Sequence, residues 1–274
     1  MLQAAHEVSG VEATHSVSDP VILVVAALPE ELAPLVRRAS GVFATRLGPV
    51  RTFRGGLGGT PLVMASTGVG PLKAERGVRA LLDAFDVRVL FGIGVSGGLS
   101  PGLQTGTILA GRDVWDSSSK MPGPDPRWLE AVLGYGGGIR AGALVSVPRL
   151  VSTQEQKAAL LASLPCTDPA VVDMESSAWV KVASLRNVPY LILRSVFDPP
   201  DEDLPGFLAR CQDPDGGLGR ARVVREALIR PHLLPSLFAM ERRVRRCASD
   251  LADCVQNLLE SEASMRPGRP GGDR

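Results

Sequence analysis

Three short segments end an apolar run on groups able to move protons or grip hydroxyls. In Leu191-Ile192-Leu193-Arg194-Ser195-Val196-Phe197-Asp198-Pro199-Pro200-Asp201 a strand-like run stops at a carboxylate followed by prolines. A carboxylate at the carboxyl end of a buried strand faces the crevice above an α/β sheet, where ligands bind. In Val172-Asp173-Met174-Glu175-Ser176 a second acid stands where a short strand gives way to a helical pattern. The two oxygens of Glu175 suit a vicinal diol such as that of a ribose, with Met174 packed on the sugar face; a helix-start acid held by the helix dipole is the plainer alternative. Glu30 and Glu31 follow Leu28-Pro29. Either could serve as a first-turn acid, or could point into the crevice and deprotonate a nucleophile. Ser66-Thr67-Gly68-Val69-Gly70-Pro71 places a glycine turn between a strand and a helix. Free N–H groups there would take a phosphate, a carboxylate or sugar hydroxyls, unless the glycines merely make a tight turn. Gly94-Val95-Ser96-Gly97-Gly98-Leu99 reads as a second small-residue turn, open to a planar ligand.

The elements that must carry these groups alternate. Strand-like runs at 21–27, 62–67, 87–95, 106–110, 143–147, around 171 and at 189–197 are interleaved with helical patterns at 30–38, 72–85, 153–161 and 174–186. Such alternation predicts α/β architecture with a largely parallel, helix-covered sheet. From about Gly219 the pattern is helical only, at 222–229 and 233–259, broken by Arg230-Pro231. The expected organisation is a tail over 1–18, one domain over 19–260 with a helical extension at 219–260, and a Pro/Gly/Arg-rich tail over 261–274; both tails are expected to be mobile. No internal repeat is visible.

The 274 residues are 45% apolar, ample for a large core. Thirty Lys and Arg nearly cancel 29 Asp and Glu, and aromatic residues make up 4%, so no nucleic-acid partner is expected. The longest apolar runs are too short to span a bilayer and no signal-peptide pattern opens the chain, which predicts a cytoplasmic protein. Cys166, Cys211, Cys247 and Cys254 lack CxxC spacing and His6, His15 and His232 lie far apart, so no metal site is expected. Cys247 and Cys254 read as two half-buried thiols on one helix face. Arg242, Arg243, Arg245 and Arg246 form a basic cluster that reads as a solvated helix face or, alternatively, as a contact with an anionic membrane.

Residues 21–203 resemble the purine nucleoside phosphorylase and uridine phosphorylase superfamily, which includes bacterial nucleosidases for methylthioadenosine and adenosylhomocysteine. Five motifs carry the resemblance, in order: Ala27-Leu28-Pro29-Glu30-Glu31-Leu32, Ser66-Thr67-Gly68-Val69-Gly70-Pro71, Val95-Ser96-Gly97-Gly98-Leu99, Val172-Asp173-Met174-Glu175 and Arg194-Ser195-Val196-Phe197-Asp198. Within it, Phe91-Gly92-Ile93-Gly94-Val95-Ser96-Gly97-Gly98-Leu99, Asp173-Met174-Glu175-Ser176 and Asp198-Pro199-Pro200-Asp201-Glu202-Asp203-Leu204-Pro205 look most like the hopanoid-associated phosphorylases, which are thought to remove adenine from adenosylhopane.

The resemblance implies a single-domain three-layer α/β/α fold with a central, mostly parallel mixed sheet, and cleavage of an N-glycosidic bond. Asp198 would be the general acid to the purine, its pKa raised by burial near Phe197, Pro199 and Pro200. Met174 and Glu175 would bind ribose; Thr67, Gly68 and Gly70 would form the phosphate or ribose turn; Ser96, Gly97 and Phe197 would form the base site. Glu31 would activate water if the reaction is hydrolysis. No cofactor is implied, phosphate being an open co-substrate, and the implied partners are a nucleoside, lipid-linked in the hopanoid case, and further copies of the chain in a homo-oligomer. A methylthioadenosine or adenosylhomocysteine nucleosidase is the alternative substrate reading, and a non-catalytic nucleoside-binding domain the alternative class. Two departures stand out: Phe197 replaces the serine that usually precedes the nucleosidase aspartate, and the amino-terminal phosphate-binding arginine of the uridine phosphorylases has no match. Arg46, Arg51 and Arg54 read as exposed hairpin residues.

Overall fold

The computed structural model describes residues 20–116, 119–165, 168–213 and 220–265. Ten strands form one sheet among these residues: β1 (Val21–Ala26), β2 (Ser40–Leu47), β3 (Val50–Leu57), β4 (Thr60–Ser66), β5 (Val87–Gly98), β6 (Ile108–Asp116), β7 (Ser119–Lys120), β8 (Arg140–Ser146), β9 (Ala170–Asp173) and β10 (Tyr190–Asp198). The helices are α1 (Pro29–Arg38), α2 (Pro71–Ala84), α3 (Pro126–Gly134), α4 (Gln154–Ser163), α5 (Ser176–Leu185), α6 (Phe207–Arg210), α7 (Arg220–Ile229) and α8 (Leu234–Met265).

The middle of the sheet, β4-β1-β5-β10, is parallel, and its strands are near-continuous apolar runs because both faces are covered. Alternate residues serve opposite layers. Leu23 and Val25 join Val78 and Leu81 of α2 and Trp179 of α5, whereas Ile22 and Val24 join Leu32 of α1, Trp128 of α3 and Leu251 and Val255 of α8. Antiparallel pairings occur at the edges, where the β2–β3 hairpin extends β4, and where β10 pairs with β6 and β9 with β5. Because β10 pairs with β5 as well as β6, the strands β5-β10-β6-β8-β9 close on themselves at one end of the sheet. That closure brings the ends of β5, β9 and β10 around one crevice.

Several sequence expectations change. Residues 94–98 are not a turn, because β5 continues through Gly98. Small residues there make room for protein as well: a Cβ on Gly92 would lie 2.8 Å from the Trp179 ring and one on Gly94 2.2 Å from Arg194 Nη1. The last helix does not stop near 259. It runs to Met265, with Glu262 in a two-pronged pair with Arg88 at 2.7 and 2.8 Å, so residues 261–265 belong to the fold rather than to a tail. Cys247 and Cys254 are buried rather than half-buried. The tail expectations for 1–18 and 266–274, and Cys166, His6 and His15, lie outside the described residues.

Candidate active site

Four strand ends supply the polar groups. After β1, Pro29 opens α1 and Glu31 falls at the third helical position, where its Oε2 accepts the Leu28 N–H at 2.8 Å. The other oxygen, Oε1, accepts the Val95 N–H of β5 at 2.9 Å. Glu31 is therefore a first-turn acid of its own helix and lines the crevice as well. Burial raises its pKa, against the pull of Arg194 and the N–H donors.

After β9, Asp173 rather than Glu175 caps α5: Asp173 Oδ1 accepts the N–H groups of Glu175 and Ser176, both at 3.2 Å. Glu175 is freed from that role and reaches across to the β4–α2 turn, where Oε1 accepts the Gly70 N–H at 2.8 Å. The turn itself requires glycine, since Gly68 and Gly70 have φ of 95° and 96°. Its amides are largely taken, Thr67 N–H by Ala26, Gly68 N–H by Ala27 and Gly70 N–H by Glu175. The expected open cradle at Thr67, Gly68 and Gly70 is thus filled by the protein's own carboxylate. Thr67 and Gly68 line a neighbouring cleft with Arg46, Arg51, Lys73 and Arg76, not the main cavity.

Arg194 ties these acids together. It is fully buried, its Nε lies 2.8 Å from Asp173 Oδ2 and 3.0 Å from Ser176 Oγ, and its guanidinium sits 4.8 Å from the Trp179 ring centre. One terminal nitrogen lies 3.6 Å from Glu175 Oε2, and neither terminal nitrogen has a hydrogen-bond partner among the described residues. Glu175 is pushed up to about 7, by burial first, with repulsion from Asp173 and Glu31 adding to it while Arg194 and the Gly70 N–H pull the other way.

At the end of β10 the register with β5 shifts between Val196 and Asp198, so that Asp198 stands opposite Gly97. Bulges of this kind re-aim a side chain next to a site. A Cβ on Gly97 would be 3.2 Å from Asp198 Oδ2, so the glycine allows the close approach. Asp198 is 3% exposed and raised to about 6, by burial first, against the Lys157 ammonium 2.6 Å from Oδ2.

These groups line a cavity of about 210 Å³. Glu31, Asp173, Met174, Glu175 and Asp198 line it with Ser96, Gly97 and Phe197. Apolar side chains line it too, Leu150, Val151, Leu204, Leu208, and Met240 and Val244 of α8, and so do Arg149 and Gln212. Of the predicted site residues, Asp198, Glu31, Met174, Glu175, Ser96, Gly97 and Phe197 meet here, and Thr67, Gly68 and Gly70 stand behind Glu175. Sequence reasoning missed Lys157, the partnership of Asp173 with Arg194, and Arg243, which donates to the Phe197 carbonyl at 3.2 Å and to Glu202 at 2.7 Å. For Lys157 a signal existed: Lys157, Leu160, Leu161 and Leu164 recur at helical spacing on one face, a lone cation in an apolar stripe. Among the described residues no group of three His, Cys, Asp or Glu side chains is placed to hold a metal ion.

Comparison with known proteins identifies the family. The family model described as the phosphorylase superfamily matches residues 21–215. Among curated relatives, the 5'-methylthioadenosine/S-adenosylhomocysteine nucleosidase of Maridesulfovibrio salexigens is 25% identical over 207 residues, covering 66% of this chain and 86% of its own. The enzyme of the same name from Desulfotalea psychrophila is 25% identical over 195 residues, covering 64% and 82%. Among solved structures, the Neisseria meningitidis nucleosidase of that name, in complex with methylthio-immucillin-A, superposes with a TM-score of 0.69 at 20% identity, covering 88% of this chain and 99% of its own. That of Campylobacter jejuni gives 0.70 at 16% identity, covering 88% and 99%. The chain belongs to the phosphorylase superfamily and is an enzyme of N-glycosidic bond cleavage, a nucleoside phosphorylase or nucleosidase.

Proposed function

We propose that the chain releases adenine from an adenosine with an apolar 5′ substituent, and that the substrate is adenosylhopane in the synthesis of extended hopanoids. The observation that carries this reading is the mixed lining of the cavity, carboxylates together with the apolar Leu204, Leu208, Met240 and Val244. Met240 and Val244 lie beyond residues 21–215, the span that the family model matches.

Breaking the C1′–N9 bond leaves positive charge on the sugar while the electron pair departs with the base. Asp198 gives its proton to N7 of adenine, so that the base leaves neutral. Glu175 accepts the ribose hydroxyls and, as an anion, favours the cationic sugar; Met174 packs against it, and Ser96, Gly97 and Phe197 bound the base. Glu31 takes a proton from the water that attacks C1′. Three acids, Glu31, Asp173 and Glu175, surround the guanidinium of Arg194. A phosphate dianion beside them would be repelled, which supports water as the nucleophile, whereas Arg149 on the lining and the cationic cleft of Arg46, Arg51, Lys73 and Arg76 keep phosphate open. Phosphate keeps only the place of a co-substrate, and the reading invokes no cofactor.

The surface supports the lipid reading. On α8 the exposed Leu234 and Phe238 are followed at the same spacing by the exposed Arg242 and Arg246, and Ile229 is exposed at the end of α7. Apolar and basic groups in such a row suit an anionic bilayer, although Arg243 is turned inward and Arg245 pairs with Glu241. No described helix is long and apolar enough to cross a membrane. A cytoplasmic homo-oligomer belongs to the same reading, supported by the edge strand β2, which exposes Val42 and Phe43. The second reading, a methylthioadenosine or adenosylhomocysteine nucleosidase, is favoured by the names of the relatives.

The test is adenine release from adenosylhopane and from methylthioadenosine, each with and without phosphate, with the sugar product identified by mass. Phosphate-independent release from adenosylhopane is expected, with the ribose still carrying its 5-substituent and a hydroxyl at C1 as the product. Release from methylthioadenosine alone would favour the second reading, and a 5-substituted ribose 1-phosphate product would remove Glu31 from its role.

A further inference from the structure

We propose that Lys157, together with Glu202 and Arg243, sets the proton affinity of Asp198 and thereby the pH at which the site works. The inference rests on reading Asp198 as the general acid. Lys157 is fully buried on α4 and does not line the cavity, so it is a positioning residue rather than one that touches substrate. Its Nζ lies 2.6 Å from Asp198 Oδ2 and donates to the carbonyls of Pro199 and Glu202, both at 2.7 Å. The two hydrogen bonds and the ion pair fix the nitrogen beside the carboxyl group.

A fixed cation beside a buried acid has two linked effects. It opposes desolvation, which alone would hold the proton too firmly for transfer to the base, and it stabilises the carboxylate left after transfer. The opposing charge is Glu202, on the segment after β10, whose carboxylate raises Asp198 and is itself held by Arg243 of α8 at 2.7 Å. Arg243 also stacks on the Phe197 ring at 5.3 Å and donates to the Phe197 carbonyl. The next acid along, Asp203, accepts the Gln154 N–H at 2.8 Å and so fixes the start of α4. Charges from α4, α8 and the connecting segment thus converge on one carboxyl group.

The proposal is tested by carbon NMR of the Asp198 carboxyl, identified by its absence in Asp198→Asn, in the native chain and in K157Q, K157R and E202Q. An opposite charge this close lowers a carboxyl by about 1–3 pH units, so K157Q should raise the midpoint by that amount, K157R should leave it near native, and E202Q should lower it. The pH optimum of adenine release from methylthioadenosine and from adenosylhopane should move in the same directions. A folded K157Q with a native midpoint overturns the proposal; should K157Q not fold, an unmoved midpoint in E202Q does so. If Asp198→Asn is fully active, the general-acid reading fails instead, whatever the midpoints do. If the midpoints move while the optimum stays, Asp198 does not set the working pH.

Discussion

Two carboxylates with opposite needs stand on the cavity wall. Asp198 must hold a proton and Glu175 must lack one, yet Asp198 is raised only to about 6 while Glu175 is raised to about 7. The productive pairing is therefore a minority form of the empty site, most abundant midway between the two values. A bell-shaped profile of kcat/KM with its maximum between pH 6 and 7 is expected, and a rate rising steadily to pH 9 would contradict it. Asp198→Asn removes the donor and should lower kcat by about a hundredfold or more. Glu175→Gln should raise KM and lower kcat together; native kinetics would leave Glu175 with nothing more than its contact to Gly70. Asp198 and Glu175 were legible because each ends an apolar run, a local pattern. Lys157 lies 41 residues from Asp198, as their numbering shows, and no local pattern links them. Nor could the sequence tell that Gly70 donates to Glu175 across 105 residues, which occupies one amide of the turn.

Whole elements have to arrive in register before such contacts exist. Most were readable, because buried parallel strands are continuous apolar runs and their covering helices repeat apolar residues at 3.6 spacing. The β2–β3 hairpin was readable only as the exposed setting of Arg46, Arg51 and Arg54, not as two strands of the sheet, since β2 is exposed along nearly all its length and its residues have no buried face to alternate with. Residues 94–98 read as a turn because glycine there suggested room for a planar ligand. In β5 it means lack of space: an alanine methyl at position 94 would meet Arg194 Nη1 at 2.2 Å and Glu31 Oε1 at 2.9 Å. Gly94→Ala should cost about 1–3 kcal/mol through overpacking and also weaken turnover by displacing the guanidinium. Gly123→Ala, where a methyl meets nothing within 4 Å, is the control. Equal urea midpoints for the two variants would show that β5 yields without strain.

For the molecule as a whole, the site acids oppose stability at the pH where they work. Asp198 and Glu175 have folded values of about 6 and about 7 against ordinary values of 3.8 and 4.5, and Glu31 moves in the same direction. In that window the native chain holds protons that the unfolded chain has released. The contribution is therefore fully present below 3.8 and 4.5 and is lost as pH rises through about 6 and 7. Glu75, lowered by Arg79 on the surface, acts oppositely: its contribution is lost as pH falls below its ordinary 4.5. Unfolding in urea should show stability declining from pH 5 to 8. Glutamine at position 175 cannot ionise, so the melting temperature of Glu175→Gln relative to the native chain should rise across the same range. A constant difference from pH 5 to 8 would mean that Glu175 ionises as easily in the folded chain as in the unfolded one, and that Arg194 fully offsets its burial. A rising difference would show that the buried cluster accepts a cost in stability to keep an anion facing the sugar, the trade expected where charge serves transition-state binding rather than folding.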